Sequence, residues 1–197
     1  MLDVNTIIGE ILVREGWPAY TNHAADRGGP TKGGITLAAW REYSQDPGAT
    51  ADELAALNEA QARLFYMYRH VVEPKFHRIE DPALCALVVD AGVHHGVRHA
   101  TKWLQWAADV KQDGSFGPKT EAAVNGADPR EVYLWLVSMR IRLFGRLIGR
   151  DPELARAQQA GFNLQARWAG GWNNRAAEFI EALARKLEEQ HNAEAAT

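Results

Sequence analysis

From Gly16 to Thr36 the chain breaks an otherwise helical pattern, and this break constrains the fold more than any other feature. Before it, Val4, Ile7, Ile8, Ile11 and Leu12 repeat at helical spacing and make one apolar face. Glu15 lies one turn beyond Ile11 and Leu12 and continues that face. Gly16 and Pro18 then stop the helix. Between Tyr20 and Thr36 the density of Gly, Asn, Asp and Pro is too high for a helix, and short strands joined by tight turns are expected instead, as a hairpin or meander over residues 20–36. The expected fold is therefore mainly α, of the α+β kind, with one small β element near its start.

The rest of the chain is punctuated by helix starts. Thr36 is placed to cap a helix carrying Leu37, Trp40 and Tyr43. Thr50-Ala51-Asp52-Glu53 is a capping box, and Asn58-Glu59-Ala60-Gln61 opens another helix that ends before Pro74. Asp81-Pro82, Asp128-Pro129 and Asp151-Pro152 each put an Asp cap before a proline at the first helical position. Val97 to Ala108 reads as a helix with Ala100, Trp103, Leu104 and Ala107 inward. Residues 112–118 read as a loop. A last helix is expected from about Asn174 to Glu189, with Phe179, Ile180, Leu183 and Leu187 inward, before a frayed, Ala-rich tail over residues 191–197. No repeat or low-complexity block is present. One boundary fits, between about Asp81 and Arg98, giving segments 1–93 and 94–190; the short connections imply that the two pack together.

Bulk properties exclude several functions. With 22 basic and 25 acidic residues among 197, a net charge of −3 does not suit a protein held on nucleic acid by a basic surface. Cys85 is the only cysteine, which excludes an internal disulfide framework; its neighbours Leu84 and Leu87-Val88-Val89 indicate a buried, inert thiol. No apolar run reaches the ~18 residues of a membrane span. Met1-Leu2-Asp3-Val4-Asn5 shows neither the basic nor the apolar region of a signal peptide, so synthesis in a cytoplasm is expected.

The break carries the residues for one kind of chemistry. Glycosidic hydrolysis needs a proton donor for the leaving oxygen and a second group that stabilises the sugar cation, attacks it or activates water. Glu15, held against an apolar face with Trp17 close by, suits the donor, because a carboxyl that loses hydration favours its neutral form. Asp26, among Asn22, His23, Arg27 and glycine amides, suits the second role, and Thr31 is placed to hold a water. Gly28, Gly29, Gly33 and Gly34 let backbone approach a bulky polymer. The plain alternative is a helix-end salt bridge and an ordinary turn aspartate, and spacing alone does not separate the two.

These residues resemble the signature of glycoside hydrolase family 108, the phage and prophage N-acetylmuramidases. Glu15-Gly16, Tyr20-Thr21-Asn22 and the run from Asp26 to Thr36 match it, with Trp17-Pro18-Ala19 in place of a single glycine and His23 in place of the usual Asp. Asp90-Ala91-Gly92-Val93-His94-His95-Gly96, Leu104-Gln105, Asp113-Gly114-Ser115-Phe116-Gly117-Pro118-Lys119-Thr120 and Gly171-Trp172-Asn173-Asn174-Arg175 resemble the peptidoglycan-binding-type helical domain that follows it in this family; His94 stands where Asn is commoner. The resemblance implies a lysozyme-like fold, Glu15 as general acid, and, by analogy with phage-type lysozymes, Asp26 as second carboxylate and Thr31 as water-positioning hydroxyl. Tyr20, Asn22, His23, Gly29, Asp90 and His94 are the substrate-binding candidates it implies. No cofactor and no metal are implied.

Other features have plainer readings. His95 and His99 are four apart but lack the Glu of a metalloprotease motif, so hydrogen-bonded or cleft-edge histidines are favoured over zinc. Of seven tryptophans, at most one or two are expected to touch substrate, since large aromatics on amphipathic helices are usually core. Arg140, Arg142, Arg146 and Arg150 form a basic cluster on one helix, read as a solvated face or as an attraction to an anionic envelope. The expected protein is a monomeric endolysin-type muramidase that cleaves the β-1,4 bond between N-acetylmuramic acid and N-acetylglucosamine. It would bind peptidoglycan strands and not nucleic acid, and reach the periplasm and wall through a holin-type lesion during host lysis. The rivals are a lytic transglycosylase, a non-catalytic wall-binding protein and, last, a zinc amidase.

Overall fold

The structure is a computed structural model that describes residues 3–22, 29–150, 172, 173, 175, 176, 178–180, 182, 183 and 186, without the side chains of 145 and 147–150. Helix α1 (Val4–Arg14) is followed by strands β1 (Tyr20–Thr21), β2 (Thr31–Lys32) and β3 (Ile35–Thr36), then by α2 (Leu37–Ser44), α3 (Ala51–Ala55) and α4 (Glu59–Met67). A π-helical turn (Tyr68–Val72) and a short 3-10 turn (Phe76–Arg78) lead to α5 (Pro82–His95), α6 (Val97–Ala107), α7 (Pro118–Gly126) and α8 (Pro129–Arg150). The described residues from Trp172 to Lys186 are helical.

The helix starts act as their chemistry dictates. Thr36 caps α2, and Thr50 and Asn58 each form a complete capping box with Glu53 and Gln61. Asp81 caps α5 ahead of Pro82. The three strands pair antiparallel in the order β1-β2-β3, with Tyr20 opposite Lys32 and Thr31 opposite Thr36. Lys32 ties this small sheet to the helices: its Nζ donates to the carbonyls of Ala55 and of Leu57 (2.8 Å), at the open end of α3, and lies 5.2 Å over the Trp17 ring.

Helix α5 is the axis of the molecule. Leu84, Cys85, Leu87, Val88, Val89, Ala91 and Gly92 are all buried, as expected of a helix apolar all round. It packs on α6, α8 and both short turns, and one core runs from Ile7 of α1 to Leu183. Burial pushes the Cys85 thiol up to about 11, which keeps it protonated and inert.

Four sequence expectations need amendment. Helix α7 was not anticipated, because Gly117 gives its first turn no side-chain cap and its start hides in the glycine-rich loop. The last helix begins no later than Trp172, not at Asn174. Ile180 is exposed, not inward. Arg140 does not belong to a solvated face: it is fully buried, while Arg142 and Arg146 are exposed. Asp151-Pro152, Trp168, Leu187 and residues 191–197 lie outside the described residues.

Candidate active site

Glu15 is the residue after the last turn of α1, and its backbone N–H still donates to Ile11 O at 2.8 Å. The helix therefore delivers the carboxyl to the rim of the core, where its side chain keeps 21% of its exposure. Its two oxygens face different things. Oε1 accepts a hydrogen bond from Arg175 Nη2 at 3.1 Å. Oε2 is turned toward the β2–β3 connection: a Cβ built on Gly34 would fall 2.7 Å from Oε2 and 2.5 Å from the Tyr66 hydroxyl. Gly34 has φ +78°, so both its backbone angle and its surroundings require a residue without a side chain. Beside it, the Tyr66 hydroxyl donates to Gly33 O at 2.7 Å, which fixes the turn on α4. Burial, and then the negative charge of Glu15, push the Tyr66 phenol well above its usual range, so it stays a donor.

Arg175 is held from behind by Asp90. Its Nη2 lies 2.7 Å from Asp90 Oδ1, and its Nε lies 3.2 Å from each Asp90 oxygen. Arg140 Nη1 approaches Oδ2 to 2.9 Å, and Arg14 Nη1 approaches Oδ1 to 3.8 Å. Arg140 and Asp90 form a buried ion pair, and the Nε and Nη2 of Arg140 have no hydrogen-bond partner among the described residues. The Arg14 and Arg140 guanidiniums also lie over the Phe179 ring, at 5.3 and 5.0 Å. Burial by itself would raise the Asp90 carboxyl, but the charge of Arg140 and the hydrogen bonds and charge of Arg175 outweigh it and hold the carboxyl below its usual range. One buried anion thus gathers Arg14, Arg140 and Arg175 from three separate helical segments, and one of those cations reaches on to Glu15.

The sequence candidates fall into distinct places. Tyr20 in β1 is exposed, Asn22 is exposed just beyond it, and Gly29 opens the return with φ +67°. Thr31 is half-buried in β2, where its hydroxyl donates to Gly29 O at 3.0 Å. Asp26 and His23 lie outside the described residues. Asp90 is fully buried with both oxygens engaged by guanidiniums, so its place is behind the site rather than on its surface. His94 is half-buried; it stacks on His95 with ring centroids 4.4 Å apart and packs against Phe144, which stacks in turn on Trp172. His95 and His99 stand on either side of Gly96, on α5 and α6, and both meet Trp103. Among the described residues no three His, Cys, Asp or Glu side chains come together in a way that could hold a metal ion. The Asp113–Thr120 motif is a loop fastened from within: Gln105, buried in α6, reaches Asp113 Oδ1 (2.8 Å), Ser115 O (3.0 Å) and Thr120 Oγ1 (3.1 Å) and accepts from Gly114 N (2.8 Å). Sequence reasoning missed the roles of Arg175, Arg140 and Tyr66. The available signal was Asp90, a single charge inside an apolar helix, which demands cations from elsewhere in the chain.

Comparison with known proteins agrees with this architecture. Residues 8–96 match the model of the family described as Glycosyl hydrolase 108, and residues 95–177 match one described as Predicted Peptidoglycan domain. The first of these segments is similar to glycosyl hydrolase 108. The solved structure titled "Structure of Brucella abortus SagA" is similar to the chain at 26% identity and a TM-score of 0.67, over 90% of this chain and 91% of that one. No curated protein matches. The two matched segments support a glycoside hydrolase directed at peptidoglycan, and the fold is mainly helical and lysozyme-like. Among its described residues no helix is long and apolar enough to cross a membrane.

Proposed function

We propose that the protein is an N-acetylmuramidase that hydrolyses the β-1,4 bond between N-acetylmuramic acid and N-acetylglucosamine, with Glu15 as general acid. The observation that carries this is the divided environment of Glu15: Oε1 is anchored on Arg175 while Oε2 is turned to the Gly34 side, within the segment that matches glycosyl hydrolase 108. In the reaction Glu15 gives its proton to the glycosidic oxygen, the C1–O bond breaks toward that oxygen, and water supplies the hydroxyl that closes C1 while its remaining proton returns, through solvent, to Glu15. Arg175 keeps its place throughout, because the carbonyl oxygen of a protonated carboxyl accepts a hydrogen bond as a carboxylate oxygen does. Asp26 and Thr31 complete the proposal as the second carboxylate and the water-positioning hydroxyl. A role in host lysis, with access to the wall through a holin-type lesion, goes with this reading.

Muropeptide analysis of a purified-wall digest tests it. Hydrolysis yields new reducing N-acetylmuramic acid ends, and Glu15→Gln is expected to lower the rate by about 10²-fold or more. Anhydro ends instead would identify a lytic transglycosylase, and a Glu15→Gln variant lysing walls like the parent would remove the acid assignment. Lysis of cells expressing the protein only when a holin is co-expressed tests the route to the wall.

A further inference from the structure

Helices α6 and α8 leave a second feature unexplained by the Glu15 cleft. Trp106 and Trp135 are 43% and 45% exposed, and their rings meet edge to face with centroids 4.9 Å apart. They wall a cavity of about 290 Å³ that also draws on Gln112, Ser138, Arg142 and Arg146. No residue that touches Glu15 lines it.

We propose that this corner is a second peptidoglycan-binding site, which holds the wall while the Glu15 cleft cuts it. The inference rests on the assignment of the protein as a peptidoglycan hydrolase. Two indoles at right angles present a flat apolar face beside an apolar edge, which suits the axial C–H face of a pyranose ring better than a flat protein partner. Gln112 and Ser138 supply the few polar groups that fix an N-acetyl or hydroxyl group in such a pocket. The two arginines decide between a plain glycan and a wall strand. Both are exposed, and neither pairs with a carboxylate among the described residues. Muramic acid carries a peptide stem with free carboxylates, and a guanidinium fork binds such a group in two parallel hydrogen bonds. Aromatic walls with a cationic rim therefore match a sugar that bears an anionic stem. Both tryptophans also belong to the segment that matches a Predicted Peptidoglycan domain.

Co-sedimentation of the full-length protein with purified sacculi tests the site, with the Glu15→Gln change in every sample so that the walls stay intact. Trp106→Ala/Trp135→Ala is expected to weaken sacculus binding about tenfold. Arg142→Glu/Arg146→Glu is expected to weaken binding to intact sacculi about fivefold or more, and to leave binding to a neutral N-acetylglucosamine polymer within twofold. With Glu15 restored, both pairs are expected to cleave a soluble tetrasaccharide at the parental rate. Sacculus binding within twofold of the parent for both folded double variants overturns the proposal, as does a change in sedimentation from dimer to monomer with wall binding unaltered. If the tryptophan pair fails to fold, the arginine pair decides alone. Cleavage by the Glu15→Gln protein would end the acid assignment and leave the binding comparison standing.

Discussion

Asp90 and Gln105 are both buried polar side chains on neighbouring helices, and each ties other parts of the chain to itself. They do so over different distances and with different chemistry. Gln105 is neutral and closes a loop within 15 residues of itself, donating to Asp113, Ser115 and Thr120 and accepting from Gly114. Asp90 is charged and collects guanidiniums from Arg14, Arg140 and Arg175, positions up to 85 residues away. The neutral network finishes where it starts. The charged one has more cation than Asp90 can neutralise: Arg14 turns its surplus to Glu10 and Glu178, and Arg175 turns its own to Glu15. A local amide staple shapes a loop, whereas a buried carboxylate with distant partners organises a reactive centre.

Removing each anchor should separate the two. Asp90→Ala leaves buried guanidiniums without their anion and is expected to cost about 3–5 kcal/mol in urea unfolding, with loss of activity in the residual folded protein. Unchanged stability would mean that water or another anion already neutralises Arg140. Arg175→Ala should cost less, about 1.5–3 kcal/mol, yet lower kcat on walls by tenfold or more while KM moves little, because it frees Oε1 of Glu15. Gln105→Ala is expected to cost about 1–3 kcal/mol, since the loop groups lose a buried partner, with activity per folded molecule unchanged. Equal effects on kcat from Arg175→Ala and Gln105→Ala would erase the distinction.

Acid is the gentlest probe. Burial lowers the ring pKa of His70 and of His94 to about 4 and that of His95 to about 3, against an ordinary 6.5. The unfolded chain takes up those protons first, so stability falls as pH drops from about 6.5 toward 4. The Asp90 contribution has the opposite charge type but the same direction: with its folded carboxyl below the ordinary 3.8, its stabilisation is complete at neutral pH and fades only below that value. A melting temperature that declines in two stages is the expected result, and His95→Phe should flatten the upper stage alone.

The sequence made the local half of this molecule readable. The capping boxes at Thr50 and Asn58, the Asp81-Pro82 start and the strand-forming break near residues 20–36 depend on residues within four positions of one another. Glu15 was visible for the same reason, as the last position of an apolar stripe. Helix α7 escaped because a glycine cap carries no side-chain signature. The amphipathic pattern of α8 also misplaced Arg140, because a charged residue reads as surface until its buried anion is known. Arg175 was legible only as part of a motif, since its partners lie 85 and 160 positions away and no periodicity connects them.

That last separation has a consequence for how the protein comes into being. A ribosome releases Arg175 160 residues after Glu15. Through that interval the carboxyl has no guanidinium to hold it, and a chain that stops short of Arg175 never acquires one. Synthesis of the Arg175 segment acts as the arming step: products that stop short of it are expected to be at least tenfold less active toward the wall of the cell that makes them.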